Sequence, residues 1–262
     1  MRMREFLLVM ADMEKQSASN VALPVEERPT EHQCWSCGDM RATKFCNSCG
    51  KVQPPMPVDF FSFFGLRRKL NFDVKELERE FYRQSRKLHP DVNARRSDHE
   101  QEWSLQLTSQ LNDAYRTLRD PVARTEYLLK LEGRELEEQS KSATDAARSS
   151  GQQKKQIVPP DLLEEVFELN MLLEEARANR KMGEHDTDLE EQLIETKTNL
   201  HERMDALMNE LKDAWKQWDA LIDRGLIGHT DRERVLGKMV DVLNRRTYIR
   251  NLVRDVNEVL EG

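Results

Sequence analysis

Four cysteines fall in one short stretch, CWSCGDMRATKFCNSCG, as two Cys-x-x-Cys pairs: Cys34 with Cys37, and Cys46 with Cys49. Two thiolates at that spacing reach one metal ion from a tight turn. A glycine follows each pair, Gly38 and Gly50, where a positive φ lets backbone amides approach the sulfurs. Four such ligands close a tetrahedral site and leave no open position for a substrate. The chemistry expected is therefore structural zinc, holding together about thirty residues that could not sustain a core alone. Two disulfides or a redox-active pair are the alternatives. The spacing and the duplicated glycines favour zinc, since a redox pair normally sits at a helix start in a strand-rich domain.

The second candidate is RKLHPDVNARR, Arg86 to Arg96, where a basic, helix-forming run is broken by His89, Pro90 and Asp91. Proline disfavours the α conformation of the residue before it, so the helix should stop near Leu88 or His89 and leave Asp91 in a loop. Arg79, Arg83, Arg86 and Lys87 share the face opposite Phe81, so a local cationic surface ends at this turn. His89 has no Ser or Cys nucleophile near it in sequence, and the turn is expected to bind rather than catalyse.

The elements that position these residues are helical. Only ten Gly and nine Pro occur among 262 residues, 34% of them charged, which points to an all-α chain. Asp73 with Glu76, and Ser97 with Glu100, have capping-box spacing. Val74, Leu77, Phe81 and Leu88 form one stripe and Leu107, Leu111, Ala114 and Leu118 another, which predicts an antiparallel helical hairpin. Asp120-Pro121 then opens VARTEYLLKLEG, which closes at Gly133. Leu162 to Leu173, Leu193 to Leu221 and Val235 to Leu260 carry three stripes with coiled-coil-like spacing, which predicts a three-helix bundle with a long middle helix.

Composition divides the chain into a loose or targeting segment (1–30), the tetracysteine module (31–57), a first helical region (58–133), a polar linker (134–160) and the bundle (161–262). A net charge of -7 argues against general nucleic-acid binding, and Phe6 to Ala11 is too short an apolar run to span a membrane.

A basic helix ending in His-Pro-Asp, a loop, and an antiparallel helix containing LNDAYRTLRDP resemble the J-domain of DnaJ-type co-chaperones. DFFSFFGL resembles that family's first short helix, and the likeness covers roughly Asp59 to Tyr127. DPVARTEYLLKLEG with PPDLLEEVFELNMLLEEA resembles the HscB/Jac-type co-chaperone of iron-sulfur cluster biogenesis, in its eukaryotic form with a tetracysteine module. The resemblance implies a non-enzymatic protein of the mitochondrial matrix, although Arg2, Arg4 and Lys15 against Glu5, Asp12 and Glu14 make a poor presequence.

It also implies that His89, Pro90, Asp91, Arg79, Arg83, Arg86 and Lys87 meet a heat-shock-70-type chaperone and stimulate its ATPase. Leu163, Glu164, Phe167, Glu168, Met171 and Tyr248 would then bind the iron-sulfur scaffold. The chain departs from the bacterial pattern at Glu164, where an apolar residue is usual, and at Met171, where an acid is usual. Self-association stays open, and no catalytic cofactor is implied. Two other classes are weighed: a zinc-ribbon, coiled-coil regulator that binds nucleic acid, disfavoured by the net acidity, and a thiol oxidoreductase dependent on Cys34 or Cys37.

Overall fold

The computed structural model describes residues 32–136, 162–183, 186–225 and 229–261. The expected terminal segment (1–30) and nearly all of the expected linker (134–160) lie outside them. The helices are α1 (Phe60–Phe63), α2 (Val74–Leu88), α3 (Pro90–Asn93), α4 (Asp98–Arg119), α5 (Pro121–Leu131), α6 (Leu163–Met182), α7 (Thr187–Arg224) and α8 (His229–Glu261). Ahead of them, residues 32–53 form two isolated antiparallel bridges, His32 with Ala42 and Phe45 with Val52. None of the helices in the described residues is long and apolar enough to cross a membrane.

Local chemistry sets most boundaries. Asp59, Asp73, Asp120 and Asp186 cap their helices by accepting a backbone N–H, which satisfies one of the donors a helix start leaves unpaired. Gly183 and Gly225 end α6 and α7 in the left-handed region at φ +74° and +60°, as C-terminal caps require. The proposed capping box at Ser97 does not form. Ser97 makes no side-chain cap; its hydroxyl donates instead to Glu100, whose carboxylate is turned inward.

Helix α2 packs against α4, α5 against α4 and α8, and α6 against both α7 and α8. The apolar stripes of α6, α7 and α8 are consumed within the chain: Val166, Leu169, Leu193, Leu207, Trp218, Leu236, Met239 and Val256 are buried together. Val74, expected on the buried stripe of α2, is exposed instead, while Phe81 stacks on Tyr115 with ring centroids 4.1 Å apart. One apolar cluster runs from Val52 in the cysteine module through Phe61, Leu70, Leu111 and Leu128 to the bundle. Burial of that extent, at about 25 cal/mol per Å², makes the parts one packed body.

The joint between the first helical region and the bundle is polar as well as apolar. Asp219 of α7 accepts hydrogen bonds from Leu70 N (2.8 Å), Asn71 N (2.9 Å) and Asn71 Nδ2 (2.9 Å). Trp218 Nε1 donates to Arg68 O at 2.8 Å and Trp215 Nε1 to Thr125 Oγ1 at 3.0 Å. Asp223 pairs with Arg67 at 3.0 Å and Lys69 at 2.5 Å. The 67–72 segment, rather than the turn at Gly133 alone, therefore fixes how the two halves meet.

Candidate functional site

The thiols of Cys34, Cys37, Cys46 and Cys49 all lie within 4.8 Å of one another. The Cys34–Cys49 and Cys37–Cys46 Sγ distances are 3.6 and 3.5 Å. Thiolates about 2.3 Å from a tetrahedral zinc would stand about 3.8 Å apart, so the set fits one metal ion. Gly38 and Gly50 take φ of +79° and +68°, and their N–H groups donate to Cys34 O and Cys46 O. Burial works to raise the Cys34 pKa, but hydrogen bonds from the backbone N–H groups of Cys37 and Ser36 prevail and bring it to about 6. At Cys37 the Asp39 N–H lowers the pKa, but hydrogen bonding to Cys46 and burial push it up to about 12, so the neighbouring thiols share a proton.

The module is docked, not tethered. Glu100 of α4 is fully buried and accepts from Lys51 Nζ (3.1 Å), Val52 N (3.3 Å), Arg96 Nη1 (2.9 Å) and Ser97 Oγ (3.1 Å). Burial alone would raise its pKa, but the Arg96, Lys51, Ser97 and Val52 donors outweigh that and pull it to about 2. Arg96 also donates to Gly50 O at 3.1 Å, and Trp35 meets Trp103 edge-on at 5.6 Å. Sequence reading missed this role for Glu100 because two of its donors, Lys51 and Val52, lie 49 and 48 residues away and the capping-box spacing offered a local alternative.

At the end of α2, His89 is not followed by a loop as expected. Pro90–Asn93 is a short helical turn with Pro90 in its first turn and His89 as its cap, His89 Nδ1 accepting Asp91 N at 3.2 Å. Proline lacks an N–H to lose at a helix start, so it ends one helix and begins the next. The carbonyls freed by the break are taken up: Asn93 Nδ2 donates to Lys87 O (2.9 Å) and His89 O (3.0 Å), and Ser104 and Thr108 of α4 donate to Leu88 O at 2.6 and 3.0 Å. Asn93, a buried clamp not singled out from sequence, thereby fixes a turn whose Asp91 side chain is 89% exposed. Arg79, Arg83, Arg86 and Lys87 are all exposed on α2 beside it.

On α6, Leu163, Phe167 and Met171 are 54%, 67% and 58% exposed and follow one another at i, i+4 spacing. Glu164 and Glu168 are exposed beside them. The stripe stands clear of the Val166, Leu169 and Leu173 stripe that enters the core. Tyr248 does not join it. At 3% exposure its ring lies in the bundle core, and burial raises its hydroxyl pKa; α8 is packed by α5, α6 and α7, so its flank is interior.

These features have counterparts in known proteins. Residues 59–127 match the DnaJ domain. The chain is 31% identical over 204 residues to the co-chaperone protein HscB homolog of Azoarcus, covering 78% of this chain and 94% of that protein. The chain belongs to the HscB co-chaperone family. Within that family it is 34% identical over 158 residues to the iron-sulfur cluster co-chaperone protein HscB of Mus musculus, 58% of this chain. The alignments span 62% of the length of that mouse protein and 58% of a plant homolog. The crystal structure of human HscB superposes with a TM-score of 0.59 at 23% identity over 87% of this chain and 98% of that one, which shows that the HscB fold extends through the bundle.

Proposed function

We propose that this HscB-family chain is a non-enzymatic co-chaperone of the mitochondrial matrix that carries an iron-sulfur scaffold to a heat-shock-70-type chaperone and stimulates its ATPase, promoting cluster transfer. The observation that carries the reading is that an exposed His-Pro-Asp turn and an exposed apolar stripe stand on one continuous core. Arg79, Arg83, Arg86 and Lys87 would steer an acidic chaperone surface, and Asp91 would pair with a chaperone cation. Leu163, Phe167 and Met171, flanked by Glu164 and Glu168, would receive the scaffold. Holding both partners on one rigid body raises their mutual effective concentration without strong affinity at either site.

The patch is tested by the pair Leu163→Ala and Phe167→Ala. Scaffold affinity should fall by tenfold or more, about 1.4 kcal/mol or above, while helicity and Tm stay near wild type because both side chains are exposed. Unchanged scaffold affinity, measured calorimetrically, would dismiss the patch.

Zinc is the metal we infer for the four thiols, because a closed set of four thiolates suits it and leaves no catalytic position. Protein purified without added metal should carry one zinc per chain. Stripping it should alter the Trp35 and Trp103 emission, since their ring contact spans the module and α4. Four freely reactive thiols and no bound metal would refute the assignment. Supporting the co-chaperone over a coiled-coil regulator, the apolar stripes of α7 and α8 are spent on each other.

A further inference from the structure

A cleft of about 280 Å³ between the cysteine module and the first helical region has no part in the reading above. Its floor is apolar, formed by Met56, Val58, Phe63 and Phe64. Its polar lining includes Lys44 from the module and Arg83 and Lys87 from α2. Against these three cations stands the carboxylate of Glu80, already held by Arg83 at 2.6 Å and by Gln84 Nε2 at 2.5 Å.

Lys44 is the unusual member. Its ammonium lies over the Phe63 ring, 3.9 Å from the centroid, and donates to Phe63 O. No carboxylate among the described residues is within ion-pair distance of it, and Glu80, the acid that lines the same cleft, is held by Arg83. A partly buried cation without a contacting counter-ion is costly, and a carboxylate brought by a ligand would offset that cost. The module that carries it is fixed by Glu100 and Val52, so the amine is already in place when a partner arrives.

We propose that this cleft receives an acidic segment of the chaperone, making the metal-held module a second docking element beside the basic face of α2. The proposal rests on the chaperone-activating reading and deepens it. Arg83 and Lys87 decide the partner, because they line the cleft and also belong to the face assigned to the chaperone; Lys87 is two residues from His89. A partner seated along α2 as far as the turn lies at the cleft mouth without a second encounter. The excess of positive charge selects a carboxylate, and the apolar floor selects a side chain next to it. A free phosphate would leave that floor uncovered. The volume suits one or two side chains of a loop and is too small for a helix.

The test is a titration of chaperone ATPase with the full chain. Lys44→Glu should raise the concentration giving half-maximal stimulation by about fivefold or more and leave the maximal rate unchanged. Lys44→Gln, which keeps a donor for Phe63 O, should raise it about twofold and carries the test alone if the charge reversal undocks the module. Metal content and tryptophan emission report that docking. A half-point equal to wild type in both variants, with the module docked, overturns the proposal. So does a weakened scaffold affinity with chaperone affinity intact, which would give the cleft to the other partner. Asp91→Ala separates the two claims: if it retains full stimulation the chaperone-activating reading itself fails, whereas its loss together with a normal Lys44→Glu half-point removes only the cleft.

Discussion

Asp91→Ala should abolish stimulation of the chaperone ATPase while leaving the protein folded. The Asp91 side chain is 89% exposed, and its Oδ2 lies 3.6 Å from His89 Nδ1, a nitrogen that accepts the Asp91 backbone N–H and so offers the carboxylate no proton. Its removal should therefore change stability by no more than about 0.5 kcal/mol, as surface substitutions do. The turn itself is held by backbone-directed bonds from Asn93, Ser104 and Thr108, none of which involves the Asp91 carboxylate. If that carboxylate meets a chaperone cation that becomes desolvated in the complex, truncation leaves the cation unpaired and costs about 2–5 kcal/mol, or roughly 30-fold and upward. The steady-state rate with chaperone, scaffold and variant should fall to the unstimulated level, with Tm within a degree or so of wild type by the same estimate. Equal stimulation by variant and wild type would eliminate the assignment of this turn to the chaperone.

The largest loss of stability is expected at Asp219→Ala. One carboxylate accepts three N–H groups of Leu70 and Asn71, and Leu70 is fully buried. Alanine leaves the buried Leu70 N–H without a partner and breaks both Asn71 bonds, whose donors sit on an exposed residue and can turn to water. Hydrogen bonds to charged acceptors contribute about 1.5–3 kcal/mol each, and shared losses are not additive, so about 3 kcal/mol is expected in total. For a chain of this size that is a Tm drop of about 6–12 °C. Asp219→Asn, which keeps one acceptor oxygen, should lose less. Hydrogen exchange gives the site-specific readout: the Leu70 and Asn71 amides should lose protection in Asp219→Ala before the helices do. Uniform loss of protection throughout α2 and α4 would mean that Asp219 supports the whole first region and not the joint. A loosened joint should also weaken cooperation between scaffold and chaperone, since two partners on bodies that swing meet less often than two on one core.

The helices were largely legible in the sequence because their signals are local. Asp73, Asp120-Pro121 and the stripes at three- and four-residue spacing lie within a turn or two of what they specify. The four thiols were legible for the same reason, each pair closing its own tight turn. The exposed stripe on α6 follows from Leu163, Phe167 and Met171 falling out of phase with Val166, Leu169 and Leu173. Tyr248 was assigned to the patch by family resemblance, which carries a residue type to a position and not what covers it; α8 packs against α5, α6 and α7, and Tyr248 is buried.

By itself, then, the sequence determined an all-α chain with a metal-suited module, a basic helix ended by His-Pro-Asp, and a bundle helix with a second, unused apolar stripe. Only the tertiary structure decided how these are held together. The bonds that join them pair residues far apart along the chain, Lys51 with Glu100 across 49 positions and Leu70 with Asp219 across 149, and no local pattern specifies such partners. A buried carboxylate takes its meaning from the donors that surround it, and those donors are assembled by folding.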